Sequence, residues 1–261
     1  MKKRLLSGII IVALFTAFYI LGGNYFVAFM SFVAILAYKE IAFLKKYPAI
    51  VIVFGLISIL SIVILNSVMA NYFIGVKYIS LLVPLILLTI PSLIPKYQDK
   101  YLLSDAFSLI GFITFVGLGI STLNTIVLTK KIVILYLISI VCLNDIFAYL
   151  IGKLIGKHKF SKISPNKTLE GIIAGNIFGV VGGTIFYLIF INNQINILFL
   201  IVITLALSIS GQLGDLIFSK IKRENNIKDF SKLIPGHGGI LDRLDSLLFT
   251  SLVYLVIIIL F

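Results

Sequence analysis

Long runs of apolar residues dominate this sequence of 261 residues, and only short polar segments separate them. The runs cover residues 5–22, 24–44, 49–67, 72–94, 105–124, 132–153, 168–192, 195–218 and 243–261. A helix of about 20 apolar residues is long enough to cross the hydrocarbon core of a bilayer. The sequence therefore predicts an all-α fold, a polytopic transmembrane helix bundle of about nine spans.

The composition excludes a soluble protein. Hydrophobic residues make up 60% of the chain and charged residues 12%, whereas an average soluble domain carries about 25% charged residues. Nine spans would use about 180 residues and leave only short connections. We therefore expect a single integral membrane domain over residues 1–261, without a separate domain outside the membrane.

The formal net charge of +12 limits the classes of partner. Positive charge can attract nucleic acid, anionic lipid head groups or a phosphate-rich substrate. Because the basic residues lie beside the apolar runs, lipid and nucleotide phosphates are the anions they reach most easily. We expect a lipid bilayer around the protein and no nucleic-acid partner.

The basic residues are divided unequally between the two sides of the predicted bundle. The N-terminus and the even-numbered connections carry 19 of the 22 lysines and arginines, whereas the opposite side carries only Lys130 and Lys131. Short, positively charged loops stay on the cytoplasmic side. We predict a cytoplasmic N-terminus, a C-terminus outside, and cytoplasmic loops at 153–167 and 220–242.

The acidic residues indicate where the chemistry lies. Seven of the ten follow residue 144, namely Asp145, Glu170, Asp215, Glu224, Asp229, Asp242 and Asp245. Charge inside a span is costly and is usually functional. Residues 1–140 are therefore predicted to be mainly scaffold, and residues 141–261 to contain the catalytic spans and loops.

Two of these carboxylates lie on polar stripes of predicted spans. In the sixth span, Asp145 and Tyr149 share one helical face with small residues. The stripe of the eighth span consists of Thr204, Ser208, Gln212, Asp215 and Ser219. A polar stripe that leads to a carboxylate could equally line an ion path, so an ion-coupled transporter stays open at this point.

The connection after the sixth span combines basic side chains with the start of a helix. Lys157, Lys162 and Lys167 can neutralise phosphate, and Ser164 or Thr168 can cap the seventh helix, whose free N–H groups attract anions. The same segment could be an ordinary cytoplasmic loop.

Four glycines recur at four-residue steps in the seventh span: Gly171, Gly175, Gly179 and Gly183. Such a stripe allows another helix to approach closely. We predict a packing role, in which the seventh span holds the sixth and eighth spans against one another.

Residues 219–246 carry the strongest functional signal. The segment from Pro235 to Gly239 contains three glycines and permits a tight loop whose backbone N–H groups can approach phosphate. Compensating positive charge is available from Lys222, Arg223, Lys228 and Arg243.

Asp242 and Asp245 follow this loop and share one face of the ninth helix. Carboxylates at this spacing can jointly hold Mg²⁺, which prefers oxygen ligands and keeps substrate phosphates in its coordination shell. A helix N-terminus also favours acidic residues, but that preference explains only one of the two.

The chain resembles the phosphatidate cytidylyltransferase family, also called CDP-diglyceride synthetase. The family pattern S-x-apolar-K-R, four residues, K-D-x-small, two residues, apolar-P-x-H-G-G-apolar-x-D-R-apolar-D is matched from Ser219 to Asp245 without a gap. The resemblance extends to residues 145–149, 164–171 and 214–215. Many members have Trp in place of Leu169 and Ser-Gly in place of Phe230 and Ser231, differences that could alter packing beside the nucleotide.

The resemblance implies a membrane enzyme that joins CTP to phosphatidate and releases CDP-diacylglycerol and pyrophosphate. It implies a multi-pass protein of the plasma membrane whose active site faces the cytoplasm. It further implies Mg²⁺ as cofactor in a two-metal site, with a monovalent second ion as an alternative. A homodimer stays open.

Site residues follow from the same resemblance. The implied metal ligands are Asp215, Asp242 and Asp245, with Asp229 and Asp145 as weaker candidates behind them. The implied catalytic residues are Lys222, Arg223, Lys228, His237 and Arg243. The implied substrate-binding residues are Tyr149, Lys157, Ser164, Lys167, Gly238 and Gly239. Two alternatives remain: another CTP-dependent transferase or kinase that acts on a polyprenyl-type lipid, and the transporter, which leaves the His-Gly-Gly loop unexplained.

Single cysteines placed in the loops at 153–167 and 220–242, in a Cys142→Ala background, test the predicted orientation. Because both loops should face the cytoplasm, an impermeant thiol reagent should label them only after the cells are opened. A cysteine beside Lys130, on the opposite side, is the positive control. Labelling of both loops from outside intact cells would contradict the orientation.

Overall fold

The computed structural model describes residues 2–69, 74–161, 164–165, 167–192 and 194–260. Within these ranges the regular structure is helical, and the β-type pairings are two isolated bridges, Lys159 with Thr168 and Ile234 with Gly238. The described α-helices are α1 (Lys2–Leu21), α2 (Gly23–Leu44), α3 (Ala49–Ile64), α4 (Ile74–Leu93), α5 (Leu103–Lys130), α6 (Ile132–Ile155), α7 (Leu169–Phe190), α8 (Ile197–Glu224) and α9 (Leu241–Leu260). A π-helical turn, Leu65–Met69, extends α3, and a 3-10 turn, Pro95–Tyr97, follows α4.

Eight of these helices, α2 to α9, are long and apolar enough to cross a membrane. Within the part of α1 whose side chains are described, the apolar stretch is Leu6–Leu21, shorter than the usual span of about 20 residues. The all-α, multi-pass membrane architecture is confirmed, with eight rather than nine candidate spans in the described chain. The orientation of the termini stays a prediction.

Helix α8 is longer than the sequence predicted. It continues beyond residue 218 to Glu224 and therefore includes Lys222 and Arg223 in its last turn. Cationic side chains interact favourably with the free carbonyl groups at a helix C-terminus. The helix ends before Asn226, whose φ of 56° is incompatible with a further helical turn. These two basic residues are thus fixed on a helix and do not belong to a loop.

Packing divides the chain into two compact units. The first comprises Met1–Thr129 with Asp229–Asp242, and the second comprises Lys130–Lys228 with Arg243–Phe261. Helix α9 therefore begins in the first unit and continues in the second.

In the first unit, α2 and α3 pack closely around the fully buried Tyr38. The Tyr38 hydroxyl donates a hydrogen bond to the Val51 carbonyl at 3.1 Å. Gly55 leaves room for the ring, because a Cβ at this position would overlap the Tyr38 side chain. An ion pair of 2.8 Å between Lys45 Nζ and Asp105 Oδ1 joins the end of α2 to the start of α5.

In the second unit, the glycine stripe of α7 meets both neighbouring helices. A Cβ at Gly175 would lie 2.5 Å from Asn144 Oδ1 of α6. A Cβ at Gly183 would lie 2.5 Å from Ile140 Cγ1 of α6 and 2.9 Å from Thr204 Cγ2 of α8. The predicted packing role of the stripe is confirmed, because only glycine allows these backbones to approach so closely.

Candidate active site

An ion pair of the second unit joins the loop before α7 to helix α8. Lys167 Nζ lies 2.5 Å from Asp215 Oδ2, and the two side chains are 21% and 27% exposed. The lysine is held by a short turn in which Phe160 N donates to Lys167 O at 3.0 Å and Lys167 N donates to Ser164 O at 3.1 Å. The structure thus brings together a loop lysine and a span carboxylate that the sequence indicated separately.

Two further predicted residues, Asp145 on α6 and Asp245 on α9, lie within electrostatic range of Asp215. The approach of α9 to α8 depends on Gly214. A Cβ at Gly214 would lie 2.7 Å from the Asp245 carbonyl oxygen and 2.8 Å from Phe249 Cβ. Three carboxylates therefore gather from three helices, and their mutual repulsion must be offset by positive charge.

Basic side chains supply that charge. Lys222, which is only 9% exposed, interacts electrostatically with Asp245. Arg243 interacts with Asp145, as does Lys167. Alternating carboxylates and cations of this kind can bind a metal ion on one side and phosphate groups on the other.

A closed ring of hydrogen bonds joins α6, α7 and α8 next to these carboxylates. Asn144 Nδ2 donates to Ser208 Oγ at 2.7 Å, and Ser208 Oγ donates to Asn176 Oδ1 at 3.0 Å. Asn176 Nδ2 donates to Gln212 Oε1 at 3.1 Å, and Gln212 Nε2 returns to Asn144 Oδ1 at 2.6 Å. Asn144 directly precedes Asp145 in the chain, so the ring fixes the helix segment that carries this carboxylate.

Residues 235–239 form a tight turn in the first unit. Ile234 N donates to Gly238 O, and His237 N donates to Ile234 O, both at 2.9 Å. Gly236 and Gly238 have φ values of 78° and 84°, in the region that favours glycine. The predicted tight loop is confirmed.

Ser7 of α1 holds the ring of His237. Ser7 Oγ donates to the Pro235 carbonyl at 2.9 Å and lies 2.8 Å from His237 Nδ1. Because a hydroxyl has one hydrogen, both bonds form together when Nδ1 carries a hydrogen and donates it to Ser7. His237 also lines a groove of about 830 Å³ along α1, beside Gly8, Val12 and Thr16.

Asp242 connects this loop to the first turn of α9. Its Oδ2 accepts hydrogen bonds from Phe230 N at 2.9 Å and Gly239 N at 2.8 Å. The N–H group of Gly239 therefore serves a protein carboxylate here. The substrate-binding roles of Gly238 and Gly239, and the metal-binding role of Asp242, stay predictions.

The other predicted site residues lie at the surface or in turns. Tyr149 is exposed on α6, with Lys153 Nζ 6.0 Å from its ring centroid. Arg223 is exposed and donates from Nη1 to the Ile227 carbonyl at 3.0 Å, which supports the end of α8. Lys157, Lys228 and Asp229 are exposed. Thr168, rather than Ser164, caps α7 by accepting from Gly171 N at 3.2 Å, and Lys162 lies outside the described residues.

Among the described residues, no three His, Cys, Asp or Glu side chains lie close enough together to hold a metal ion. Mg²⁺ is commonly bound by one or two carboxylates together with water and substrate phosphates. The oxygen donors of Asp215 and Asp245 are chemically suited to that arrangement.

Three residues that contribute to these clusters were missed from the sequence: Ser7, Glu40 and Asn144. Ser7 and Glu40 lie in the part predicted to be scaffold, yet both contact the segment 231–241. Glu40 could have been found, because it is a carboxylate within an apolar run. Ser7 and Asn144 have no comparable signal, since small polar side chains are frequent on spanning helices.

Comparison with known proteins shows the family to which the chain belongs. The chain matches the model of the cytidylyltransferase family over residues 2–261 and is a member of that family. It is 34% identical over 252 residues to a phosphatidate cytidylyltransferase of Staphylococcus haemolyticus (strain JCSC1435), a match that covers 95% of both chains. Similar matches, also at 34% identity and 95% coverage of both chains, are to the phosphatidate cytidylyltransferases of Staphylococcus aureus (strain COL) and Staphylococcus saprophyticus. The resemblance inferred from the motifs is confirmed.

Proposed function

We propose that this chain is a phosphatidate cytidylyltransferase, a nucleotidyltransferase that converts CTP and phosphatidate to CDP-diacylglycerol and pyrophosphate in phospholipid synthesis. The observation that carries the proposal is the full-length family match. It is found together with the loop residue Lys167 beside Asp215 and Asp245, which lie on the two spans that bear the family motif. An ion-coupled transporter would explain the carboxylates, but not the family match or the His-Gly-Gly loop.

The reaction requires two substrates of different solubility to meet at the membrane surface. A phosphate oxygen of the lipid attacks the α-phosphorus of CTP, and the bond from that phosphorus to the pyrophosphate group breaks. Both substrates are anions, so positioning and charge neutralisation are the main tasks of the protein. Lys167, paired with Asp215, and Lys222, which interacts electrostatically with Asp245, can neutralise phosphate oxygens as substrate arrives.

The carboxylates suit a divalent cation. Asp215 and Asp245, with Asp145 nearby, would hold Mg²⁺, which when bound supplies charge neutralisation to the nucleotide phosphates. Lys167 occupies one oxygen of Asp215 in this structure, and Ser246 N donates to Asp245 Oδ1 at 2.8 Å. Asp229 and Asp242 belong to the other unit. The proposed metal-ligand role of Asp242 and the weaker candidacy of Asp229 rest on the sequence motif alone.

We further propose that the site faces the cytoplasm of a bacterial cell, with the N-terminus on the same side. The uneven distribution of basic residues supports this orientation, because CTP is made in the cytoplasm and short basic loops are retained there. Relatives of this chain are bacterial, which supports a location in the plasma membrane.

Purified protein incubated with labelled CTP and phosphatidate tests the function directly. We expect labelled CDP-diacylglycerol and pyrophosphate to form in equal amounts. A polyprenyl-type lipid offered in place of phosphatidate is the comparison substrate. Transfer to the polyprenyl-type lipid alone, or no nucleotide consumption at all, would overturn the proposed function.

Removal of divalent ions should abolish the reaction. The proposed site places nucleotide phosphates beside carboxylates that would otherwise repel them. Turnover should therefore stop in EDTA and return when excess Mg²⁺ is added. A chelator selective for zinc is the control and should have little effect. Full activity after rigorous chelation would refute the metal assignment.

Asp245→Asn separates a catalytic role from a structural one, since it preserves size while removing the negative charge. If Asp245 only favours a helix N-terminus, the change should cost about 0.3–1 kcal/mol of stability and leave turnover nearly intact. If it binds a catalytic ion, kcat should fall by on the order of 10²-fold or more. The measurement is kcat in monodisperse, detergent-purified protein at saturating substrates and raised Mg²⁺.

The matched control for this variant is Asp105→Asn. Asp105 lies in the first turn of α5, accepts from Leu102 N at 3.1 Å and pairs with Lys45, so it has helix-terminal and ion-pair roles without the proposed metal role. We expect the control to retain near-normal kcat. Near-normal kcat in Asp245→Asn as well would remove Asp245 from the catalytic residues.

A further inference from the structure

Glu40 is a buried carboxylate in the middle of the apolar surroundings of α2. The residue is only 6% exposed. Burying a carboxylate is costly unless hydrogen bonds compensate for the lost water. The contacts of Glu40 therefore indicate what the chain gains from keeping a charge at this position.

Three donors from the segment 231–241 converge on the Glu40 carboxylate. Ser231 Oγ donates to Oε1 at 2.6 Å, and Ile240 N donates to the same oxygen at 2.8 Å. Leu241 N donates to Oε2 at 2.9 Å. The N–H groups at the start of a helix have no partner within the helix and carry partial positive charge, so a carboxylate stabilises them.

Asp242 completes the arrangement from within α9. Its Oδ2 accepts from Gly239 N and Phe230 N. Three successive backbone N–H groups, those of residues 239 to 241, thus donate to two carboxylates. Glu40 fixes the start of α9 and the end of the glycine loop, and the orientation of Asp242 depends on both.

The lack of space around Gly239 shows how closely the Glu40 carboxylate approaches its backbone. A Cβ at Gly239 would lie 2.5 Å from Glu40 Oε1, 2.6 Å from Oε2 and 2.7 Å from Cδ. Its φ lies outside the positive range in which Gly236 and Gly238 are found. The requirement for glycine at position 239 therefore comes from the Glu40 carboxylate rather than from backbone conformation.

We propose that Glu40 is a positioning residue for the cytidylyl transfer reaction, acting through Gly239 and the first turn of α9 to hold Asp242 and the His-Gly-Gly loop in their working geometry. The inference rests on the proposed function. It assigns a role in the reaction to a helix of the part that the sequence marked as scaffold.

Glu40→Gln tests the role of the charge. An amide offers one acceptor oxygen in place of two, so at least one of the N–H groups of Ile240 and Leu241 loses its partner. Because small displacements of catalytic groups have large effects on rate, we expect kcat to fall roughly ten- to hundredfold. The KM for CTP should change by a smaller factor than kcat, because Glu40 acts on the geometry of Asp242 and the loop through hydrogen bonds to protein groups. Glu224→Gln, an exposed position at the end of α8, is the matched control and should leave kcat unchanged.

A double-variant cycle tests the contact itself. Gly239→Ala should lower kcat in the wild-type background, because the new methyl group meets the Glu40 carboxylate. In a Glu40→Ala background the same change should cause little further loss, because the obstructing group is gone. Gly111→Ala, at a helical glycine where a Cβ meets nothing within 4 Å, is the control for the substitution.

Each outcome decides between the positioning role and a purely structural one. Thermal midpoints in detergent are measured beside kcat for every variant. A lower midpoint with wild-type kcat in Glu40→Gln, or losses of kcat that add up independently in the double variant, would overturn the proposal. If the wild-type protein makes no CDP-diacylglycerol, the proposed function fails and the positioning role with it. The midpoints of the double-variant cycle report the Glu40–Gly239 contact in either case.

Discussion

The close packing of α7 against α6 and α8 is the constraint on which the second unit depends. Glycines at 175 and 183 allow this approach, since any side chain there would overlap Asn144 or Ile140. Only at this separation can the short amide and hydroxyl side chains of Asn144, Asn176 and Ser208 reach one another. The polar ring therefore depends on the close packing of the helices. The ring in turn fixes the helices that carry Asp145 and Asp215.

Three of the carboxylates have defined partners, which offset the cost of removing their charge from water. Asp215 faces Lys167, Glu40 receives three hydrogen bonds, and Asp242 receives two backbone N–H groups. These contacts differ in kind. An ion pair between side chains can open when a phosphate or a metal ion arrives, whereas a carboxylate bonded to helix N–H groups is part of the framework. By this difference the pair of Asp215 and Lys167 can exchange partners, whereas Glu40 is a fixed support.

Much of this was predictable from the sequence. The apolar runs predicted the spans, because a helix of their length matches the thickness of the hydrocarbon core and their side chains are apolar. The motif from Ser219 to Asp245 indicated the family and its chemistry, and the glycine stripe predicted the packing of α7. Boundaries were less predictable: α8 extends through Lys222 and Arg223 because basic residues stabilise a helix C-terminus even where the apolar pattern has ended.

The sequence by itself determined the membrane architecture, the family and most of the charged residues of the candidate site. Each of these depends on local composition and on the spacing of residues along the chain. Only the tertiary structure decided which groups meet. Glu40 and residues 231–241 are some two hundred positions apart in the chain, and no periodicity links them. Their contact follows from how α2 packs beside the start of α9. A contact that depends on three-dimensional packing cannot be read from local sequence patterns. The same reason explains Ser7 and His237, which the sequence gives no ground to connect and which the fold places 2.8 Å apart.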